Sequence, residues 1–207
     1  MKQLTEIIFI LDKSGSMSGL EKDTIGGFNT MLNKQKQAEG DAFITTVLFD
    51  NEHHTIHDRL NIKEVNELTN NDYFASGATA LLDALGDTIK HIKKIHKYIR
   101  KEDVPNKTIF VITTDGEENA SHRYSSDKIK QMINQQKKDG WEFIFLGANI
   151  DAIETAKTYG IDQEHAVNYE YTASGTKNLY ACVDEAIRQV RTNHKIKANW
   201  KDNINHK

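Results

Sequence analysis

The chain alternates short apolar runs with segments whose apolar residues recur at helical spacing. Residues 6–11 include the unbroken run Ile7-Ile8-Phe9-Ile10-Leu11, which has no polar face and predicts a strand buried on both sides. Residues 19–37 bring Leu20, Thr24, Gly27, Phe28, Met31 and Leu32 to one face, which predicts a helix. Residues 42–49 are β-rich and predict a second strand. The turn-forming stretch Asn51-Glu52-His53-His54 then leads into a short strand at 54–60, antiparallel and at an edge because so few residues separate the two. A helix follows over about 80–99, with Leu81, Leu82, Leu85, Ile89 and Ile92 in register. After Pro105 come a strand at 108–113, a helix at 126–138 with Gly140 as its C-terminal stop, and a strand at 141–146. A short helix at 151–159 ahead of Gly160, a short strand at 166–169 and a long helix at 175–194 complete the series.

Strand–helix alternation at this spacing predicts an α/β fold: a doubly wound, mostly parallel, Rossmann-like sheet of about six strands with helices on both faces. One domain is expected over residues 1–194, with 195–207 a short polar tail carrying a few apolar anchors. In such sheets ligands bind outside the carboxyl ends of the strands.

Three of those ends carry oxygen ligands. The first strand runs into Asp12-Lys13-Ser14-Gly15-Ser16, a carboxylate and two hydroxyls on a tight turn. Ser76-Gly77-Ala78-Thr79-Ala80 places Thr79 at a helix start, and the strand at 108–113 ends in Thr113-Thr114-Asp115-Gly116-Glu117-Glu118-Asn119. Oxygen-only side chains suit a hard cation such as magnesium. Taken singly, each residue has a plainer role: Asp12 and the Asp115-Gly116 pair as turn residues, the hydroxyls as helix caps. Glu117, Glu118 and Asn119 either rim the same face or are simply solvated, while Asp50 and Asp72 sit near neighbouring loops and are not assigned to the metal.

The set Asp12-x-Ser14-x-Ser16, then Thr79, then Asp115-Gly116 resembles the metal-ion-dependent adhesion site of von Willebrand factor type A domains, with all five family positions filled. The resemblance spans roughly residues 5–191. It implies a strand order of 3-2-1-4-5-6, which brings Asp12 and Asp115 side by side at the point where the order reverses. It also implies that Ser14 and Ser16 bind Mg2+ directly, Mn2+ being an alternative. Thr79 would bind directly or through water, and Asp12 and Asp115 would hold coordinated waters or exchange into the metal's shell. Neutral hydroxyls leave the cation short of negative charge, so an outside carboxylate is attracted. The expected function is therefore a metal-dependent protein-interaction module whose partner presents an Asp or Glu. A scaffold subunit of an ATPase or chelatase-type complex is a variant of the same reading.

Composition narrows the other classes. A formal charge of -3 gives no field to attract nucleic acid or an anionic membrane, and the longest apolar runs are strand-length. The single cysteine, Cys182, excludes an intrachain disulfide; with Met1-Lys2-Gln3 leading straight into the first strand and no secretory signal, it makes the cytoplasm the expected location. Cys182 itself sits on an apolar helix face. The histidines lack a metal-ligand spacing: His53 and His54 flank a turn, and His91 and His96 belong to a lysine-rich, solvated helix face. The alternative function is a magnesium-dependent hydrolase or phosphatase. Against it, Ser14 stands where an Asp-x-Asp phosphotransfer site needs its second acid, and no nucleotide-binding glycine motif occurs. No enzyme is expected.

Overall fold

The structure, a computed structural model, describes residues 4–193 and 195–205. In chain order its elements are β1 (Leu4–Asp12), α1 (Glu21–Gln37), β2 (Asp41–Phe49), β3 (His53–Asn61), α2 (Leu81–Tyr98), β4 (Lys107–Thr114), α3 (Ser126–Lys138), β5 (Trp141–Gly147), α4 (Ala152–Thr158), β6 (Ala166–Asn168) and α5 (Ala173–Asn193). The six strands form one sheet in the order β3-β2-β1-β4-β5-β6, all parallel except β3, which runs antiparallel to β2. The sequence-based strand order and the edge position of β3 are both met. Short 3-10 turns punctuate the loops, one of them at Gly15–Met17 directly after β1.

The buried strands divide their side chains between two cores. Ile7, Phe9 and Leu11 of β1 face α1 and α5, where Phe9 meets Phe28 edge-on at 5.1 Å and Phe28 meets Tyr180 at 6.4 Å. Ile8 and Ile10 face the other way, onto Leu85 and Ile89 of α2 and onto α3 and α4. A strand with apolar residues on both faces cannot sit at a sheet edge, so β1 and β4 occupy the centre, and their carboxyl ends place Asp12 and Asp115. The helices carry the expected end signals. Acids open α1 (Glu21, Asp23) and lysines close it (Lys34, Lys36). Ser125 caps α3 by accepting from Lys128 N–H at 3.3 Å, and Gly140, at φ +83°, takes the left-handed stop after it.

The edge strand is irregular. Its register with β2 shifts on both sides of Thr46, and Arg59 takes a positive φ of 52° there. Arg59 Nε donates to the fully buried Glu6 carboxylate at 2.9 Å, which His96 also contacts, and the guanidinium lies 4.5 Å over the Phe43 ring.

The segment beyond α5 folds back onto it. A 3-10 stretch at Ala198–Asn205 buries Trp200 completely, and Trp200 Nε1 donates to Glu164 O at 2.9 Å. Trp200→Ala is therefore expected to cost about 3 kcal/mol, the range for truncating a buried aromatic. A urea titration followed by far-ultraviolet circular dichroism checks this, and a change under about 0.5 kcal/mol, the size of a surface substitution, would mean that this segment adds nothing.

Candidate metal centre

The turn after β1 is built on backbone hydrogen bonds that join it to its neighbours. Lys13 N donates to Phe49 O at 2.8 Å, Gly15 N to Gly77 O at 3.0 Å, and Ser76 N to Lys13 O at 2.8 Å. Gly77 has a φ of +73°, and a Cβ there would strike Asn51 Oδ1 at 2.3 Å, so this crossing of two loops requires glycine. The loop ahead of α2 is thereby locked onto the β1 turn, which brings Thr79 to the same end of the sheet as Ser14 and Ser16.

The side chains then form a chain of contacts across the reversal point. Asp12 Oδ1 accepts from Ser14 N at 2.7 Å, and Asp12 Oδ2 accepts from Thr114 Oγ1 at 2.6 Å. Ser14 Oγ and Ser16 Oγ are 2.9 Å apart, and Ser16 Oγ donates to Asp115 Oδ1 at 2.6 Å. Thr79 Oγ1 and Ser16 Oγ both face Gly116, where a Cβ would lie 3.6 Å and 3.3 Å from them. All five residues singled out from the sequence thus converge on one spot; Asp12, Ser14, Thr79 and Asp115 are buried, and Ser16 is exposed.

The electrostatics are unbalanced. Burial pushes the Asp12 carboxyl up to about 6, against the pull of the Ser14 and Thr114 hydrogen bonds. Burial also raises Asp115, again against a hydrogen bond, from Ser16. Asp115 Oδ2 is buried and has no hydrogen-bond partner among the described residues. Two desolvated carboxylates, one with an orphaned oxygen, and three hydroxyls make a set of oxygen donors in need of positive charge. That donor chemistry fits a hard divalent cation. It differs from a cluster of three or more His, Cys, Asp or Glu side chains, which does not occur among the described residues in an arrangement able to hold a metal.

Several supporting residues carried no local sign of their role. Thr114 reads as the last residue of a strand, yet its hydroxyl orients Asp12. The Tyr73 hydroxyl donates to Asp12 O from beneath, and Tyr171, ahead of α5, donates to the carbonyls of Ser16 and Ser18. Glu118 and Asn119 are not merely solvated. Glu118 accepts from Leu82 N at 2.9 Å and from Ser121 N at 2.7 Å, while Asn119 Oδ1 accepts from Thr79 N at 3.0 Å, so together they fix the start of α2. Asp50 is committed to Lys13 and to Ser76 Oγ at 3.0 Å, and Asp72 closes a turn on Thr69. The most spacious cavity described, about 980 Å³, lies at the opposite, amino-terminal end of β4 and β5 and is lined by Lys107, Trp141 and Glu142 among others.

The architecture is that of a von Willebrand factor type A domain. Among solved structures, the chain is similar to the vWF domain of the type V pili tip protein Mfa5 from Porphyromonas gingivalis, with a TM-score of 0.60 and 11% identity over 89% of this chain and 96% of that one. It is similar to proximal thread matrix protein 1 from the mussel byssus in a form with a zinc-occupied MIDAS motif (TM-score 0.59, 12% identity, 90% of this chain and 46% of that one). It is also similar to the ArnB paralog VWA2 from Sulfolobus acidocaldarius (TM-score 0.55, 18% identity, 90% of this chain and 45% of that one). The chain spans about half the length of several of the structures it matches. No family model matches it, and no curated protein sequence does. Among the described residues no helix is long and apolar enough to cross a membrane.

Proposed function

We propose that the protein is a protein-interaction module that holds one divalent cation, Mg2+ or Mn2+, and uses it to capture a carboxylate of a partner. Asp12, Ser14, Ser16, Thr79 and Asp115 would hold the ion. The observation that carries this reading is the buried Asp115 Oδ2, without a hydrogen-bond partner among the described residues, beside the Ser14–Ser16 hydroxyl pair. A carboxylate oxygen stripped of water and of donors costs free energy unless a cation meets it. When bound, the cation supplies a Lewis-acidic coordination position, and the protein's hydroxyls leave that position attractive to an anion. Ser16 is exposed while the rest of the set is buried, so the partner would approach from the Ser16 side. The module's place in the cell is proposed as the cytoplasm, on the strength of the single, buried, unpaired Cys182.

Hydrolysis has less support. The hydrogen bonds of the Ser14 and Ser16 hydroxyls run to each other and to Asp115, with no histidine base among them. A second carboxylate two residues after Asp12 is also lacking, since Ser14 stands there.

Partner capture is tested by pull-down from the native host in magnesium and again in excess chelator, followed by titration of the recovered partner. Binding is expected to vanish in chelator. Changing the partner's carboxylate to its amide is expected to weaken binding by at least about 30-fold, in line with losing one partner of a hydrogen-bonded charge pair. Equal affinity with and without cation would reject the carboxylate bridge.

A further inference from the structure

Beside the residues proposed to hold the cation stands a large apolar side chain that neither core buries. Residues 73–75 alternate in direction: Tyr73 is buried and Ala75 is half-buried against the core, while Phe74 points outward with 55% of its surface exposed. Alternation explains the direction but not why a large apolar ring is left exposed to solvent there. The other large exposed apolar residues described are Leu60, at the far end of the edge strand, and Tyr98, at the last turn of α2; neither borders the site.

Phe74 is tied to the site in three ways. The Lys13 ammonium, on the residue between Asp12 and Ser14, lies 5.0 Å from the Phe74 ring centroid. Lys13 is itself buried and paired with Asp50, so the ring forms part of the lid over that ion pair. The backbone on both sides of Phe74 is pinned, by the Tyr73 hydroxyl on Asp12 O and by Ser76 N on Lys13 O at 2.8 Å. An aromatic ring on a pinned loop loses little conformational entropy when a partner covers it, the property that makes such residues dominate interfaces.

We propose that Phe74 is the apolar half of a two-part docking surface, so that the partner segment carries a large apolar side chain within a few residues of the carboxylate it offers to the cation. This rests on the cation-bridged reading of the site. The attractive position for an anion and the exposed ring share one rim, and a partner loop that satisfies the first lies against the second. The carboxylate alone would be accepted from almost any acidic loop; the ring selects among them, because burying a polar residue against Phe74 gains nothing.

A random cyclic-peptide library displayed on phage is the probe, selected on the protein in manganese and eluted in parallel with chelator and with acid. Chelator-eluted peptides are expected to carry an Asp or Glu with aliphatic or aromatic residues enriched nearby. Phe74→Ser is expected to bind these peptides at least about tenfold more weakly while its manganese titration stays as in the unmodified protein. Phe74→Leu, which keeps an apolar side chain, is expected to recover most of that loss. Acidic peptides with no apolar enrichment, or equal binding by Phe74→Ser, would overturn the role of Phe74 and leave the cation bridge standing. Acid-eluted peptides that need Phe74 but bind equally in chelator and to the Ser14→Ala, Ser16→Ala double variant would overturn the cation bridge, and with it the two-part surface. Failure to recover any cation-dependent peptide would count against both.

Discussion

The Ser14→Ala, Ser16→Ala double variant is expected to lose divalent-cation binding, by at least about a hundredfold, or roughly 2.7 kcal/mol. The two hydroxyl oxygens are 2.9 Å apart, and Ser16 also bonds Asp115, so their removal takes away two neutral donors and the hydroxyl that orients one carboxylate. Isothermal titration with magnesium and with manganese is the measurement. A single site is expected in the unmodified protein, with manganese binding the tighter of the two by the general order of divalent affinities. An undiminished titration in the double variant would refute the assignment of these hydroxyls. Ser16 is exposed and Ser14 lies in a turn rather than in either core, so both changes are expected to leave the fold intact.

A second large effect concerns Asp12 and pH. Its carboxyl is raised to about 6 by burial. The folded state therefore binds more protons than the unfolded chain between pH 4 and 6, and Asp12 destabilises the fold progressively as pH rises through that window. Asp115, also raised by burial, adds in the same direction. Asp50 and Asp83 act oppositely. Burial pushes both up, but for Asp50 the Glu52 backbone N–H and Lys13 outweigh it, and for Asp83 the backbone N–H groups of residues 122–124 do. The difference between the protein and Asp12→Asn removes those shared contributions. In chelator, Asp12→Asn is expected to gain on the unmodified protein by about 2 kcal/mol between pH 4 and pH 7, from ~1.4 kcal/mol per unit of pKa. Saturating manganese at pH 7 is expected to reverse the order, since a ligand at a hundred times its dissociation constant adds about 2.7 kcal/mol to the form that binds it. Chemical denaturation across that pH range decides it. A flat difference in chelator would mean that the Asp12 carboxylate is solvated or already compensated.

The strands were legible because burial on both faces writes an unbroken apolar run, as at Ile7–Leu11, and the surface helices because their periodicity is clear. The five oxygen-bearing residues were legible because each closes or opens an element in a segment rich in hydroxyls, glycine and acids. Their supports were not. Thr114 reaches Asp12 across 102 residues and Tyr73 reaches it across 61, contacts that only the strand order creates. For Glu118 and Asn119 the sequence left a rim role and a solvated role open, because two of the backbone donors that they satisfy, Thr79 N and Leu82 N, lie well apart in sequence. Trp200 stands among a few apolar residues, Ile196 and Ile204 with it, scattered through a polar segment, and no periodicity marks which of them is buried completely.

The irregular β3 has a consequence for how the chain behaves at high concentration. An open sheet ends in two strands whose outer backbone groups invite another chain to add on. Here one end is closed by a strand bent at Arg59 and carrying His53, His54, Asp58 and Arg59, and the other by β6, which is three residues long. Neither offers a long, flat, apolar template. Growth of intermolecular β-structure is thereby discouraged at both margins, even though an aromatic ring, Phe74, stands exposed at one rim.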